Sequence, residues 1–411
     1  MYSYTTLERK VVIAMIKYEL KILFSERINR LLLLILILIA IVFSCFAIGS
    51  VNYVDQEGNT HNGFFSARKL VESRSKYEGE LTPDVLKNVI QKDGQITKEH
   101  GNEIPDSVYS TGAQEYGDIK DFCVSTLCYD TDFDESALNG LEINDAGRMY
   151  EIRDGNIARE IEEYGTTQAK AHFLQGQYSK ISTPFDYAPA ESWKTMGLYA
   201  TTYAMILLII ISFLAAGIFS REFKQQADSI FFSTRLGRSK GTRAKIATGL
   251  IMATAIYWLA MFIMSVVSFG VMGLSGAKSP IQIEYSYCMY AYTFMQRYLV
   301  ILLAGYIGSI LAATVAMLVS AKTHSSLLAI CFPFVLFIVS PFIGGVLPFN
   351  EFFNVTPDQL VNVYNCIRSP LLYQFGDVVM MQIPMIMALY TLVAIMIIPL
   401  IYMAFNRYCA R

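Results

Sequence analysis

Six long stretches of the chain consist of apolar and uncharged residues, and polar sequence separates most of them. The stretches are residues 31–54, 195–220, 246–277, 298–321, 325–350 and 378–406. A helix needs roughly 20 apolar residues to cross the hydrocarbon core of a bilayer, and every stretch is at least that long. Each therefore predicts a transmembrane helix, and together they predict an all-α polytopic membrane protein with six spans.

Two shorter segments show patterns of their own. Within residues 1–30, the apolar side chains of segment 7–24 recur at helical spacing, and basic side chains occupy the rest of the wheel. This pattern predicts an amphipathic helix on the membrane surface, and docking of a partner protein is the alternative. Residues 344–377 are unusually apolar for an aqueous loop, which favours either a re-entrant segment or an interfacial helix.

Residues 55–194, between the first and second stretches, are polar and numerous enough to fold as a domain, here called the inserted domain. Thr82-Pro83-Asp84 predicts a helix start, because Thr caps, Pro fits the first turn and Asp favours the helix dipole. A second long helix is predicted over about 146–178. The domain shows no repeated alternation typical of strands, so we expect it to be mainly helical.

The placement of charge predicts the orientation. The 411 residues are 54% hydrophobic, and a net charge of −2 excludes a strongly basic nucleic-acid-binding protein. Residues 1–30 and the loop 220–245 are rich in Lys and Arg, whereas the inserted domain is acidic. Because positive loops stay inside, both termini and the loop are predicted to be cytoplasmic and residues 55–194 to lie outside. Residues 195–411 then form a five-span bundle.

The cysteines outside the apolar stretches leave their pairing open. If they lie outside the cell, Cys123 could pair with Cys128, or Cys288 with Cys366, and spacing does not decide between these disulfides. Both pairings are therefore expectations for the structure to test.

The interiors of the six stretches contain no Lys, Arg, Asp or Glu. Ion-coupled carriers, proton relays and intramembrane hydrolases normally keep ionisable groups there, so this absence argues against all three. The fourth stretch instead stacks small residues, which predicts close helix packing and, as a second reading, a dimer surface. The packing residues are Gly305, Gly308, Ser309, Ala312 and Ala313.

Motifs for catalysis, metal binding or nucleotide binding are missing from the sequence. H-E-x-x-H, G-x-S-x-G and phosphate-loop spacings do not occur, and the four histidines are scattered. We therefore predict no catalytic residue, no metal site and no cofactor bound by this chain.

The most specific pattern lies in loop 220–245. The acidic Glu222 follows the second stretch, an apolar segment around Ile230 comes next, and Gly237-Arg238 and Lys245 lead into the third stretch. This order resembles the cytoplasmic loop of type-2 ATP-binding-cassette (ABC) exporter permeases, in which an acidic residue, a short coupling helix, a turn and a basic residue follow one another. Where many members have Gly-Thr before the helix and Pro after it, this chain has Ala227-Asp228 and Arg235.

The overall layout strengthens the resemblance. A surface helix, six spans and a large outer domain after the first span are similar to permeases of Gram-positive bacteria. The resemblance implies a bacterial plasma-membrane subunit that exports an amphiphilic substrate such as a peptide antibiotic, lipid or drug. It also implies a separate ABC ATPase that binds ATP and Mg, and a second permease subunit, the same or related. The leading alternative is a receptor or signalling subunit whose outer domain senses a peptide or lipid.

The resemblance assigns ATPase coupling to a set of loop residues. They are Glu222, Asp228, Ser229, Ile230, Phe231, Phe232, Thr234, Gly237 and Arg238. Within this set the three apolar residues are expected to anchor the partner, Asp228 and Ser229 to cap the helix, and Gly237 to end it. Glu222 and Arg238 are expected to pair with each other or with the partner. A helix that merely rests on lipid is the competing interpretation.

Overall fold

The computed structural model describes residues 2–101, 103–131, 138, 145, 147–234, 236–344 and 350–407. These residues are mostly helical with little strand, and they include six helices long and apolar enough to cross a membrane. The helices, called the first to sixth spans, are Arg27–Gly49, Glu191–Lys224, Gly237–Met272, Phe294–Thr323, Ser326–Ile343 and Gln382–Asn406. The prediction of six apolar spans in a mainly helical chain is confirmed. Arg235 and part of the fifth stretch, 345–349, lie outside the described residues.

Several helix ends differ from the ends of the apolar stretches. The second span continues to Glu191 at one end and Lys224 at the other, because charged residues propagate a helix although they end an apolar run. The third span opens with a wide turn, Gly237–Gly241, and continues as a regular helix over Thr242–Met272. It stops at Gly273, whose φ of +92° suits glycine and closes the helix before residue 277.

The sixth span begins later than predicted because a β-hairpin precedes it. Leu372–Phe375 pairs antiparallel with Val378–Met381, and Gly376 turns the chain with a φ of +62°. The apolar run 378–381 is therefore strand and was wrongly included in the helix. Period and length do not separate a short apolar strand from the start of an apolar helix.

The segment before the hairpin is folded back against the bundle. It contains three short helical turns, Asn350–Phe353, Pro357–Val361 and Val363–Cys366. Leu360 is buried, and its Cβ lies beside Gly308 of the fourth span. Burial against the protein explains why this segment is so apolar.

The second and fourth spans form the centre of the bundle. Sixty-one per cent of the apolar window of each is buried, against 28, 17 and 22% for the first, fifth and sixth spans. Small residues allow this close packing: a Cβ at Gly305 would lie 2.6 Å from the Tyr257 hydroxyl and 3.1 Å from the Ala204 Cβ. The other small residues of the stripe, Gly308, Ser309, Ala312 and Ala313, are buried too. The stripe thus packs within the chain.

The N-terminal helix covers Tyr2–Leu23 and lies against the start of the third span. Its Lys17 and Lys21 are exposed and its Leu23 is buried, as expected for an amphipathic helix. The Asn29 amide donates to the Leu23 carbonyl at 2.8 Å across the turn into the first span. This hydrogen bond bridges the turn between the two helices.

The inserted domain is built from helices and two short strand pairs. Its main helices are Ser66–Arg74, Pro83–His100, Gly117–Leu127, Met149–Tyr164 and Gln168–Tyr178. Its Thr60–Asn62 strand pairs with Asn52–Val54, just before the domain, and its Gly79–Glu80 strand pairs with Asp186–Tyr187. The Thr82 hydroxyl accepts from the Val85 amide, which confirms the predicted helix start. The predicted helix 146–178 is instead two helices, because the chain turns at Gly165 and Thr167 caps a new start.

The predicted disulfides are not formed. The structure holds Cys123 and Cys128 as thiols. Cys123 lies in helix Gly117–Leu127 and Cys128 follows it, so five helical steps separate their Cα atoms by about 7.5 Å along the axis, beyond the roughly 7 Å that a disulfide allows. Cys288 and Cys366 are thiols as well, so the alternative pairing is also wrong.

The inserted domain is seated on the segment 273–293 that follows the third span. The guanidinium of Arg153 is buried and donates to the Ser286 carbonyl from Nε at 3.1 Å and from Nη2 at 2.9 Å. Tyr178 donates its hydroxyl to the Tyr287 carbonyl at 2.8 Å. Buried polar contacts of this kind fix the domain in one position on the bundle.

A buried ion cluster ties the domain to the second span. The Asp118 carboxylate accepts from Arg74 Nη1 at 2.6 Å, from Lys194 Nζ at 2.7 Å and from the Tyr187 hydroxyl at 3.1 Å. Arg74 also pairs with Glu191 at 2.9 Å. Burial opposes the ionisation of Asp118, but the charges of Lys194 and Arg74 outweigh it and lower the pKa of the carboxyl to about 2.

We expect Asp118→Asn to destabilise the full-length protein at neutral pH by about 3 kcal/mol, because the partly buried cations Arg74 and Lys194 lose the carboxylate that they share. The stability that Asp118 contributes is complete above the ordinary aspartate pKa of 3.8 and is lost as pH falls through about 2. Wild type should therefore lose stability as the pH falls from 3.8 to about 2, and the variant should not show this loss. Thermal unfolding in detergent across this range tests it.

The matched control is Asp186→Asn, which removes an exposed carboxylate from the same domain. It should unfold as wild type does at every pH. If wild type and Asp118→Asn lost the same amount of stability between pH 4 and pH 2, Asp118 would not be the group that causes the acid loss.

Candidate functional site

The loop 225–236 joins the second and third spans at the end of the bundle where the N-terminal helix lies, here called the loop end. Gln226 turns the chain with a φ of +55°, and a short helix, Asp228–Ser233, follows. The opposite end carries the inserted domain and is called the domain end. The sequence therefore predicted a short helix in the right place.

Two aromatic residues hold the short helix on the bundle. Phe232 is only 5% exposed, and its ring centroid lies 5.0 Å from that of Phe405, at the end of the sixth span. Phe231 lies 5.8 Å from the same ring, and Phe223 of the second span lies 6.4 Å from Phe232. The short helix is thus packed against the ends of two spans.

Ile230 points away from the bundle. It is 69% exposed, whereas its two neighbours Phe231 and Phe232 face inward. All three residues were expected to anchor a partner together. The structure does not show this arrangement, because only Ile230 faces away from the bundle. Leu236, 40% exposed, extends the apolar surface at the end of the loop.

The caps of the short helix differ from those predicted. Ala227 occupies the N-cap position without a side-chain cap, and Asp228 is the first helical residue, where its carboxylate suits the helix dipole. Ser229 is exposed on the first turn. At the other end the Thr234 hydroxyl donates to the Phe231 carbonyl at 2.9 Å. The N-cap role was wrongly assigned to Asp228 and Ser229, because Ala227 occupies that position and the two polar residues lie within the first turn.

Gly237 begins the turn into the third span and does not end the short helix. Its amide donates to the Thr234 hydroxyl at 3.1 Å. A Cβ at Gly237 would lie 2.0 Å from the Phe231 carbonyl oxygen, so only glycine fits. The requirement for glycine here is steric, because the chain at Gly237 passes directly against the short helix that precedes it.

The strongest electrostatic feature of the loop end is a buried lysine, Lys245. Its side chain has no solvent exposure, and its Nζ lies 2.6 Å from Glu222 Oε1 and 3.1 Å from Glu19 Oε1. The same ammonium donates to the Ile218 carbonyl at 3.3 Å. One cation thereby joins the third span to the second span and to the N-terminal helix.

This arrangement is consistent with the physics of buried charge. An ammonium removed from water is stable only with close counter-charges and hydrogen bonds, and Lys245 has two carboxylates and one carbonyl. Its Nζ also lies 5.5 Å from the ring centroid of Phe231, so the short helix contacts the same charge. Glu222 Oε2 is buried and has no hydrogen-bond partner among the described residues.

The predicted pairing of Glu222 with Arg238 is wrong. Glu222 pairs with Lys245, and the guanidinium of Arg238 lies 5.8 Å from the ring centroid of Phe232. Glu19 was missed altogether. No local pattern could have identified it, because its partner Lys245 lies 226 residues away in sequence.

His324 completes the surroundings of the short helix. It ends the fourth span with a φ of +59°, and its ring centroid lies 3.8 Å from that of Phe223. Burial lowers its pKa, while the nearby carboxylate of Asp228 opposes this shift. His324 is thus the turn residue between the fourth and fifth spans, and its ring adds packing beside the loop.

A small polar cavity of about 180 Å³ lies beside the Lys245 cluster. Glu19, Glu26, Arg221 and Lys224 line it, so its walls carry equal numbers of positive and negative groups. Lys224 donates to the Ser326 hydroxyl at 2.6 Å, which connects the second span to the fifth. Among the described residues, no group of three or more His, Cys, Asp or Glu is placed to hold a metal ion.

We expect Lys245→Met to loosen the loop end, because two adjacent carboxylates would remain without the cation between them. The partly exposed carboxylates reduce the cost, so we expect a loss of about 2–3 kcal/mol in unfolding free energy. Trypsin cleavage at Lys21 should also accelerate as the N-terminal helix detaches. Thermal unfolding and timed proteolysis in detergent measure both effects.

Lys17→Met, an exposed lysine on the same helix, serves as the control and should change neither measurement. Adding Glu222→Gln to Lys245→Met should recover part of the loss, because one of the two opposed charges is removed. If Lys245→Met and Lys17→Met gave the same stability and cleavage rate, Lys245 would not hold the N-terminal helix in place.

Comparison with known proteins does not identify a family for this chain. No protein-family model matches the chain, and no curated protein matches it. The resemblance to type-2 ABC permeases therefore remains an expectation that depends on the order of residues in loop 220–245 and on the six-span layout.

Proposed function

We propose that this chain is the permease subunit of an ABC exporter in a bacterial plasma membrane, and that loop 225–236 receives work from a separate ATPase. The observation that carries the proposal is a short helix, Asp228–Ser233, fixed to the bundle on one side with an apolar side chain, Ile230, exposed on the other. The resemblance of the loop to type-2 permeases supports the same assignment.

Energy transfer through a loop requires that the loop be stiff. Phe232 is packed against Phe405, and Phe231 lies over the ammonium that joins Glu222 to the third span. A force that a partner applied at Ile230 would thus displace the second, third and sixth spans together. A mobile loop would instead change its own shape and leave the spans in place. An exposed aliphatic side chain of this kind suits a pocket on a partner, with the surrounding polar residues at its rim.

The proposed orientation follows the charges. Residues 1–30 and loop 220–245 carry the excess of basic residues, which favours the cytoplasm for the loop end. The acidic inserted domain, residues 55–194, would then lie outside the cell. Both termini would be cytoplasmic, on the side where an ATPase finds ATP and Mg.

The exporter would act as a pair of permease subunits, identical or related, with two ATPase chains below. The first, fifth and sixth spans are the least buried, which leaves apolar surface for lipid and for a second subunit. The proposed cargo is amphiphilic, such as a peptide antibiotic, lipid or drug, because the six apolar stretches offer apolar and aromatic surface and contain no charged residue. This chain itself would bind no nucleotide.

A receptor or signalling subunit is the second candidate, and one cleft favours it. A space of about 640 Å³ lies between the inserted domain and the hairpin, with Tyr164, Lys170 and Tyr373 in its walls. Thr167 and Gln374 are hydrogen-bonded across it at 2.6 Å. A ligand that entered here would press on the hairpin and hence on the sixth span. In an exporter the same cleft would select cargo.

The test compares wild type with Ile230→Asp, purified in mild detergent from the native host. Because Ile230 is exposed, the substitution should leave the fold and thermal unfolding unchanged. We expect the vanadate-sensitive ATPase activity that co-purifies to fall about tenfold or more, as for a central anchor residue of an interface. Activity is measured per mole of permease.

Leu274→Asp is the matched control, since Leu274 is 61% exposed but lies at the domain end. It should retain the full ATPase activity. If wild type brings down no ATPase, or if both variants bring down as much as wild type, coupling through this loop is wrong and the receptor becomes the leading candidate.

A further inference from the structure

A groove runs along the outside of the bundle where the third and sixth spans diverge. It consists of a deeper space of about 270 Å³ and a second of about 400 Å³ nearer the loop end. Leu250 and Ile398 line both spaces, so the two are continuous. Tyr306 and Ile307 of the fourth span form the floor of the deeper part.

Small residues and a proline keep the groove open. Ala247 on the third span and Ala394 on the sixth span contribute little volume to its walls, and Pro399 lies within the sixth-span helix. Ile395 on the rim is 57% exposed, so the groove opens to the surroundings of the bundle. In a membrane these surroundings are lipid, and the groove is therefore accessible to an acyl chain.

The length of the groove matches one leaflet of a bilayer. From Arg243 at the loop end to Thr254 at the deep end, the third span advances by 11 residues, or about 16 Å. Half of a hydrocarbon core is about 15 Å thick. A ligand that fills the groove would therefore extend from a headgroup layer to the middle of the membrane.

The charge in the groove lies at one end only. The exposed guanidinium of Arg243 lies 5.7 Å from the ring centroid of Tyr402, and both side chains border the mouth at the loop end. Arg243 forms no ion pair with any residue that the structure describes. The deeper lining, including Thr254 and Thr391, is uncharged. A cation above an apolar groove complements a molecule with an anionic head and an apolar tail.

We propose that this groove binds one anionic phospholipid, with an acyl chain along Leu250 and Ile398 and its phosphate at Arg243. A basic side chain at headgroup depth favours anionic over zwitterionic lipids, because its attraction depends on net negative charge. The tail contributes binding by burial of apolar surface and the head contributes selectivity. This site is independent of the proposed transport function and of the direction in which the chain is inserted.

The experiment uses the full chain in mild detergent with equal amounts of phosphatidylglycerol and phosphatidylcholine of the same acyl chains. Native mass spectrometry then counts the lipids that each protein retains. We expect wild type to retain one phosphatidylglycerol in preference to phosphatidylcholine. Arg243→Gln should reduce that preference about fivefold, the effect of one basic residue near the headgroup. Thr391→Trp, which fills the deep end from an exposed position, should reduce retention of both lipids.

Arg238→Gln is the control, because Arg238 is exposed at the same end but lies over Phe232 and not in the groove. It should retain the wild-type preference. The proposal is overturned if wild type shows no preference for the anionic lipid or if both arginine variants lose it equally. A wild-type mass of two chains that Thr391→Trp returns to one would show that a second copy occupies the groove, and would overturn it as well. The preference between the two headgroups is measured on the wild-type protein, so this part of the test does not require any variant to fold.

Discussion

The loop end of this protein depends on one buried cation. Lys245 has no contact with solvent, and its ammonium is stable there only because Glu222 and Glu19 lie within 3.1 Å of it. These three residues come from the third span, the second span and the N-terminal helix. Any rearrangement that separates the three segments would leave a charge stranded in an apolar surrounding, so they are constrained to move as one body.

A second ion cluster imposes the same constraint at the other end of the second span. Glu191 and Lys194 in its first turn join Arg74 and Asp118 of the inserted domain, while Glu222 in its last turn joins Lys245. The helix between them has 34 residues and is about 50 Å long. It is also one of the two most buried spans. One continuous helix therefore connects the loop end to the inserted domain, with charged contacts at both of its ends.

Features governed by chain length and apolar content could be predicted from the sequence. The six apolar spans, the N-terminal helix and the capped start at Thr82 all follow from local rules that tertiary structure did not override. The boundaries failed where a local rule was ambiguous. Val378–Met381 is as apolar as a helix start but forms a strand, and the chain turns at Gly165 within a pattern that otherwise favours a continuous helix.

Long-range pairing was the part that local patterns could not supply. Glu19 and Lys245 are 226 residues apart, and nothing in either neighbourhood identifies the other. The same limit applies to Phe231 and Phe232, because three consecutive apolar residues on a short helix cannot all face one way. Helical geometry turns successive side chains by about 100°, so at least one of the three must point away from the other two. The ring of Phe405, contributed from the end of the chain, decides that the outward residue is Ile230. The exposed position of the site is thus determined by a residue that lies more than 170 positions away in sequence.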